Sequence, residues 1–173
     1  MSIFRVILIV ACAMSIGACS KLRGPVVPDS KLRGPVVPDV TSVVVDKSDR
    51  KMYLVSGSTV KKSYDVGLGF APTGDKKIRG DGKTPEGAYF IDRKNYNSQF
   101  YLSVGISYPN AADIAEAKAL GKSAGGDIFV HGRSGDRWRK MQDWTAGCIA
   151  VTNKEMREIY QSVTIGTPIF IRP

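Results

Sequence analysis

TSVVVDKSDRKMYLVSGSTVKKSYDVGLG, residues 41–69, is the stretch whose reading decides the fold. It holds short runs of β-branched and aromatic residues broken by polar and glycine-containing turn formers, the pattern of consecutive strands and hairpins. Residues 41–46, 51–56 and 59–67 read as three successive strands, with turns at 47–50 and 56–58. Working outward, residues 88–92, 100–107, 127–131 and 168–171 carry the same signal. Two segments read as helices instead. Residues 111–120 are rich in Ala and Leu and follow Asn110, a good N-cap; residues 153–163 follow Thr152, which forms a capping box with Glu155. In the second helix Met156, Ile159, Tyr160 and Val163 recur at i, i+3, i+4 and i+7, which marks them as core. The expected architecture is mainly β with two short helices.

Upstream of this region the decapeptide SKLRGPVVPD occupies residues 20–29 and recurs unchanged at 30–39. Two copies cannot stack into a solenoid core. Prolines at 25, 28, 35 and 38 predict an extended polyproline-like tether, reaching up to about 60 Å at roughly 3 Å per residue. Still earlier, Arg5 precedes an apolar run over residues 6–16, too short for a spanning helix and suited to a secretory signal. Ile16, Gly17, Ala18 and Cys19 resemble the lipobox of bacterial lipoproteins, which implies lipidation of Cys19. Ser20, rather than Asp, at the next position points to the outer membrane. The expected organisation is a signal over 1–18, a lipidated Cys and tether over 19–39, and one catalytic domain over 40–173, placed in the periplasm by a lipid anchor.

A chain of 173 residues suits one domain of that size. It carries 25 Lys plus Arg against 16 Asp plus Glu, a net charge of +9. Such a surface attracts polyanions. Export excludes nucleic acid, leaving anionic lipid and the carboxylate-rich wall as partners. Cysteine counting is sharper still: Cys12 leaves with the leader and Cys19 takes the lipid, so Cys148 alone stays in an oxidising compartment where pairing is the normal fate. A reactive thiol is one reading; a buried apolar filler is the other.

The sole histidine, His131, ends the predicted strand DIFVH, and sixteen residues separate it from Cys148. Thiolates are the useful nucleophiles, and an imidazole can take the thiol proton. One Cys and one His do not make a zinc site, which needs at least three ligands, so neither metal nor cofactor is expected. Gly147 would let the backbone come close to a substrate carbonyl, with nearby amides as an oxyanion hole. The capped helix just downstream could add its dipole in favour of the thiolate.

His131 and Gly132, followed by TAGCIAVTN over 145–153, resemble the signature of the L,D-transpeptidase (YkuD-type) catalytic domain: His-Gly, a variable loop, then Ser or Thr, any residue, Gly-Cys. GDGKTPEGAYFI over 80–91 is similar to the Thr-Pro-x-Gly strand motif of that family, and Tyr108, Pro109, Asn110 and GGDIFVHG over 125–132 fit a murein-processing branch. The resemblance covers residues 40–173. It implies a β-sandwich or barrel domain in which Cys148 attacks the third residue of a peptidoglycan stem peptide, usually meso-diaminopimelate. D-alanine leaves, a thioester forms, and His131 serves as base and then acid, its ring oriented by a backbone carbonyl near Gly147. Arg133, Thr145, Gly132 and Tyr108 are the expected substrate contacts.

Ala146 stands where many members have His, and Ala150 where Arg or Asn is common. Arg137, Trp138, Arg139 and Lys140 read either as a carboxylate clamp and groove lining or as a solvated loop, while Trp144 is expected in the core. Transfer to a stem amine or to a wall-anchored lipoprotein is the leading reading. The rivals are hydrolysis, as an L,D-carboxypeptidase or lipoprotein-releasing amidase, and a non-catalytic wall-binding lipoprotein.

Overall fold

The computed structural model of the protein describes residues 30–133 and 142–173. Its strands are β1 (Ser42–Asp46), β2 (Lys51–Ser56), β3 (Thr59–Asp65), β4 (Gly87–Asn95), β5 (Ser103–Ile106), β6 (Phe129–His131), β7 (Ile149–Ala150) and β8 (Pro168–Arg172). Helix α1 (Ala111–Ala119) lies between β5 and β6, and α2 (Asn153–Ser162) between β7 and β8.

The eight strands form a curled sheet in the order β3-β2-β1-β8-β4-β5-β6-β7. Pairing is antiparallel except for β1 with β8 and β6 with β7. Beyond β3 the chain runs on to the far edge of the sheet, where Gly67 and Ala150 exchange two backbone hydrogen bonds of 2.8 Å. Joining the edges in this way removes most of the unpaired backbone that an open sheet would expose. Alternation explains which side chains face inward: Val43 and Val45 of β1, Met52 and Leu54 of β2, and Ile169 and Ile171 of β8 are buried, while Phe170 between the last two is exposed.

Both helices have complete capping boxes. Asn110 pairs with Asp113 at α1, and Thr152 with Glu155 at α2. Met156, Ile159 and Val163 enter the core as their spacing predicts, while Tyr160 packs against its edge with the Lys94 ammonium 4.4 Å from its ring.

Three departures from the sequence reading matter for the site. The strand expected over 100–107 begins only at Ser103, because Tyr101 adopts a positive φ of 78° and the chain turns there. The strand expected from residue 127 begins at Phe129, after Asp127 at φ 55°. Within the free tether expected over 19–39, residues 30–39 lie against the domain: Ser30–Leu32 form a 3-10 turn and Val37 is 8% exposed in the core. Aliphatic side chains in a Pro-rich segment have apolar surface to bury, and α2 supplies it.

Candidate active site

The parallel pairing of β6 with β7 assembles the site. His131, the last residue of β6, stands in register with Ala150, and Cys148 immediately precedes the adjoining strand β7. A link between residues far apart in sequence thus becomes a neighbour relation across one ladder. His131 and Cys148 line the same groove of about 430 Å³, together with Asn95, Phe100, Ser103 and Asp127. A smaller cavity of about 250 Å³ opens on another side of Cys148, lined by Lys76, Arg79, Gly125, Gly126 and Ala146. Cys148 and Asp127 are common to both.

The imidazole is held from several directions. Nδ1 lies 2.6 Å from the carbonyl oxygen of Gly132, a contact that requires Nδ1 to carry the proton and leaves Nε2 as the basic nitrogen. The orienting carbonyl is therefore that of Gly132, not one near Gly147. Phe100 stacks on the ring with centroids 4.5 Å apart, and Trp144 meets it edge-on at 5.6 Å. Trp144, expected in the core, is instead half-buried beside the His131 ring. Its indole and Phe100 confine the imidazole. Burial lowers the His131 pKa; the Gly132 carbonyl opposes this, and the Arg133 charge adds to it.

Cys148 is half-buried, its Sγ 3.6 Å from the carbonyl oxygen of Asp127. Burial raises the thiol pKa and the Asp127 charge adds to the rise, whereas the Phe129 amide and Lys76 favour the thiolate. The two shifts point the same way, toward a thiol beside a neutral imidazole at neutral pH.

Thr145 shapes the nucleophile loop. Its hydroxyl donates to the Cys148 carbonyl at 2.6 Å and accepts from the Gly147 amide at 3.1 Å, in a buried position. A substrate contact is expected of it, but both bonds are spent inside the loop. The Gly147 amide is likewise occupied, so Gly147 contributes shape rather than an oxyanion donor. Its φ is +136°, and a Cβ there would come within 2.6 Å of the Lys83 carbonyl oxygen. Lys83 is itself fixed by Asp81, which also accepts from Lys76 and from the amides of Lys77 and Ile78.

The remaining expected contacts divide. Gly132 is buried, and a Cβ there would meet Asn153 Oδ1 at 2.5 Å and the Phe100 carbonyl oxygen at 2.8 Å. The Arg133 amide donates to Asn153 Oδ1 at 2.8 Å, so the start of α2 grips the His-Gly segment. Tyr108 is buried away from the groove, its hydroxyl donating to the Ala124 carbonyl at 3.1 Å. It is a structural residue, not a substrate contact, because a phenol in the core must use its own hydrogen bond there. Cys19 and the cations and indole at Arg137, Trp138, Arg139 and Lys140 lie outside the described residues. Among the described residues no cluster of three His, Cys, Asp or Glu side chains is placed to hold a metal ion.

Sequence reasoning missed Phe100, Asp127, Lys76 and Arg79. They come from loops whose place beside the nucleophile depends on tertiary pairing. Phe100 and Asp127 left a trace only as members of segments read as strand.

Comparison with known proteins bears on the same residues. The family model of the YkuD L,D-transpeptidase catalytic domain matches residues 41–171, most of the chain and both members of the Cys-His pair. The chain belongs to the L,D-transpeptidase family. Among solved structures, the helical cell shape determining protein Pgp2 from Campylobacter jejuni is 29% identical, with a TM-score of 0.61, over 80% of this chain and 49% of that one. The L,D-transpeptidase from Xylanimonas cellulosilytica shares the fold, with a TM-score of 0.53 at 17% identity, over 80% of this chain and 63% of that one. The candidate L,D-transpeptidase YafK of Escherichia coli (strain K12) is 32% identical over 113 residues, 64% of this chain and 40% of its own length. The chain thus spans about half the length of Pgp2 and less than half that of YafK.

Within the L,D-transpeptidase fold the two departures from the signature take on separate meanings. Ala150 is fully buried and closes the sheet against Gly67, so it touches no ligand. Ala146 is exposed on the wall of the smaller cavity, where its short side chain leaves room.

Proposed function

We propose that this protein is an acyltransferase acting on peptidoglycan stem peptides, with Cys148 as nucleophile and His131 as base. One observation carries the reading: the Cys148 sulfur and a His131 ring with Nδ1 tied to a carbonyl open onto one groove. As Sγ attacks the carbonyl carbon of the third stem residue, the thiol proton passes to Nε2 and the S–C bond forms. Collapse of the tetrahedral intermediate breaks the C–N bond to D-alanine, whose amine takes the proton back from the imidazolium. The amide of Cys148 itself is the natural oxyanion donor, since that of Gly147 is in use.

The thioester then meets an acceptor. The second cavity beside the sulfur, with the exposed Arg79 in its wall, suits a carboxylate-bearing peptide that brings an amine to the acyl carbon, while Lys76 in the same wall is already neutralised by Asp81. This favours transfer over hydrolysis, and the acceptor is a second stem peptide or a lysine of a wall-anchored lipoprotein. Attack by water in the same site would make an L,D-carboxypeptidase or an amidase. The likeness to a cell shape determining protein supports wall remodelling in either case. Lipidation at Cys19 would hold the domain on the periplasmic face of the outer membrane, within reach of the wall.

Incubation of the purified protein with muropeptides, followed by mass analysis, tests the assignment. A 3-3 linked dimer is the expected product, and free D-alanine without a dimer would replace transfer by hydrolysis. Turnover by Cys148→Ala at the rate of the unaltered protein would end the catalytic reading.

A further inference from the structure

The repeat SKLRGPVVPD has no part in the chemistry above, yet its second copy is seated on the domain through Lys31, Leu32, the Arg33 carbonyl and Val37. The Lys31 ammonium lies over the rings of Tyr96 and Tyr101, at 4.3 and 5.1 Å from their centroids, and donates to the Tyr96 carbonyl at 2.5 Å. The Lys31 carbonyl accepts from the Tyr101 hydroxyl at 3.1 Å. Arg157 of α2 donates through Nη1 to the Arg33 carbonyl at 2.8 Å, and through Nε and Nη2 to the same Tyr101 hydroxyl. Leu32 packs against the core and Val37 enters it, while the Val37 amide donates to Ser162 Oγ at 2.9 Å. At Gly34 a Cβ would stand 3.0 Å from Arg157 Cδ, so the seat also reads the missing side chain.

Each of these groups has an identical counterpart ten residues earlier, in Lys21, Leu22, Arg23, Gly24 and Val27. We infer that Tyr96, Tyr101, Arg157 and Ser162 form a receptor for this decapeptide, and that residues 20–29 are its second occupant. When the first copy docks, residues 30–39 loop out between Asp29 and Val40. The contacts are the same in both registers, so the difference between them is the closure of a ten-residue loop. Loop entropy scaling as the 3/2 power of length disfavours the second register by roughly thirty-fold. The observed register dominates, and the other is a minor state that damage to residues 30–39 brings forward.

The seat adjoins the active site. Tyr96 and Tyr101 bracket the segment whose Asn97, Ser98, Gln99 and Phe100 wall the catalytic groove, with Phe100 stacked on His131. Either copy therefore braces the wall. For a chain held at its N-terminal side, the change of register shortens the free length by ten residues, roughly 30 Å when extended.

The test uses the full chain carrying Val37→Asp, which places a charge in a core position and disfavours the second copy by far more than thirty-fold. The expected result is that the NMR signals of the Tyr101 ring and Arg157 Nε–H persist, while brief trypsin treatment moves its cuts from Lys21 and Arg23 to Lys31 and Arg33. In the variant with both Val27→Asp and Val37→Asp those signals should be lost, and added SKLRGPVVPD peptide should restore them saturably where a scrambled peptide does not. Loss of the signals in Val37→Asp alone, or unchanged protection of Lys31 and Arg33 in it, would overturn the proposal. So would persistence of the signals in the double variant, or a peptide that fails to restore them.

Discussion

Gly147→Ala probes how tightly the nucleophile loop is held. Two costs add. At φ +136° an alanine sits in a region reserved for glycine, with strain of about 1–3 kcal/mol. Its Cβ would also stand 2.6 Å from the Lys83 carbonyl oxygen and 3.2 Å from Ile128 Cδ1. The isoleucine methyl can turn aside, but Lys83 is backbone, held by Asp81 at its amide, so relief requires movement of one loop against the other. Overpacking of this kind costs about 1–3 kcal/mol more. The sum, about 2–6 kcal/mol, corresponds to a fall in Tm on the order of 10 °C for a domain of this size. Because Cys148 is the next residue, turnover should fall further than stability does. Thermal unfolding by circular dichroism and D-alanine release together check this. A variant that melts within about 2 °C of the parent and keeps its kcat/KM would refute the picture of a loop locked by that carbonyl.

The pH profile follows from the two shifted groups. Activity requires neutral His131, whose pKa is depressed by burial, so the acid limb of kcat/KM should lie below the ordinary imidazole value of about 6.5. Cys148 is raised, so its alkylation by iodoacetamide should titrate above the ordinary thiol range; a low thiol pKa would indicate a preformed ion pair instead. Tyr108→Phe removes one buried hydrogen bond and leaves the Ala124 carbonyl unpaired, which should cost about 1–3 kcal/mol in urea unfolding without changing KM. A raised KM would put Tyr108 back among the substrate contacts. Asp81→Asn leaves buried Lys76 without its counter-charge and should destabilise by about 3 kcal/mol, with activity falling because Lys83 loses its tether. Equal stability by denaturant titration would show that the backbone amides alone hold that loop.

The strands, both helices and their caps were legible because they rest on local chemistry. Alternating Val43 and Val45 or Ile169 and Ile171, and the side chains of Thr152 and Glu155, act over one strand or one turn. The Cys-His pair was legible for another reason: Cys148 and His131 are chemically distinctive, and each is the only one of its kind in the described part of the chain. The misreadings all fall where a residue's use is set by its neighbours in space. Tyr108 and Thr145 have polar groups that suit a substrate equally well, until the core and the loop consume them. Trp144 looked like a core residue because its composition says only that it prefers burial, not that the cover is an imidazole.

The amino-acid order by itself thus determined the element types, the family signature and the choice of Cys148 and His131 as the candidate pair. Tertiary structure alone decided which carbonyl orients the base, that Phe100 and Trp144 flank it, that two cavities meet at one sulfur, and that the second decapeptide lies docked on α2. Strand propensity and capping are settled within a few residues. Cross-strand register, by contrast, exists only once the sheet has closed, and it is the register of β6 on β7 that brings His131 and Cys148 to one groove.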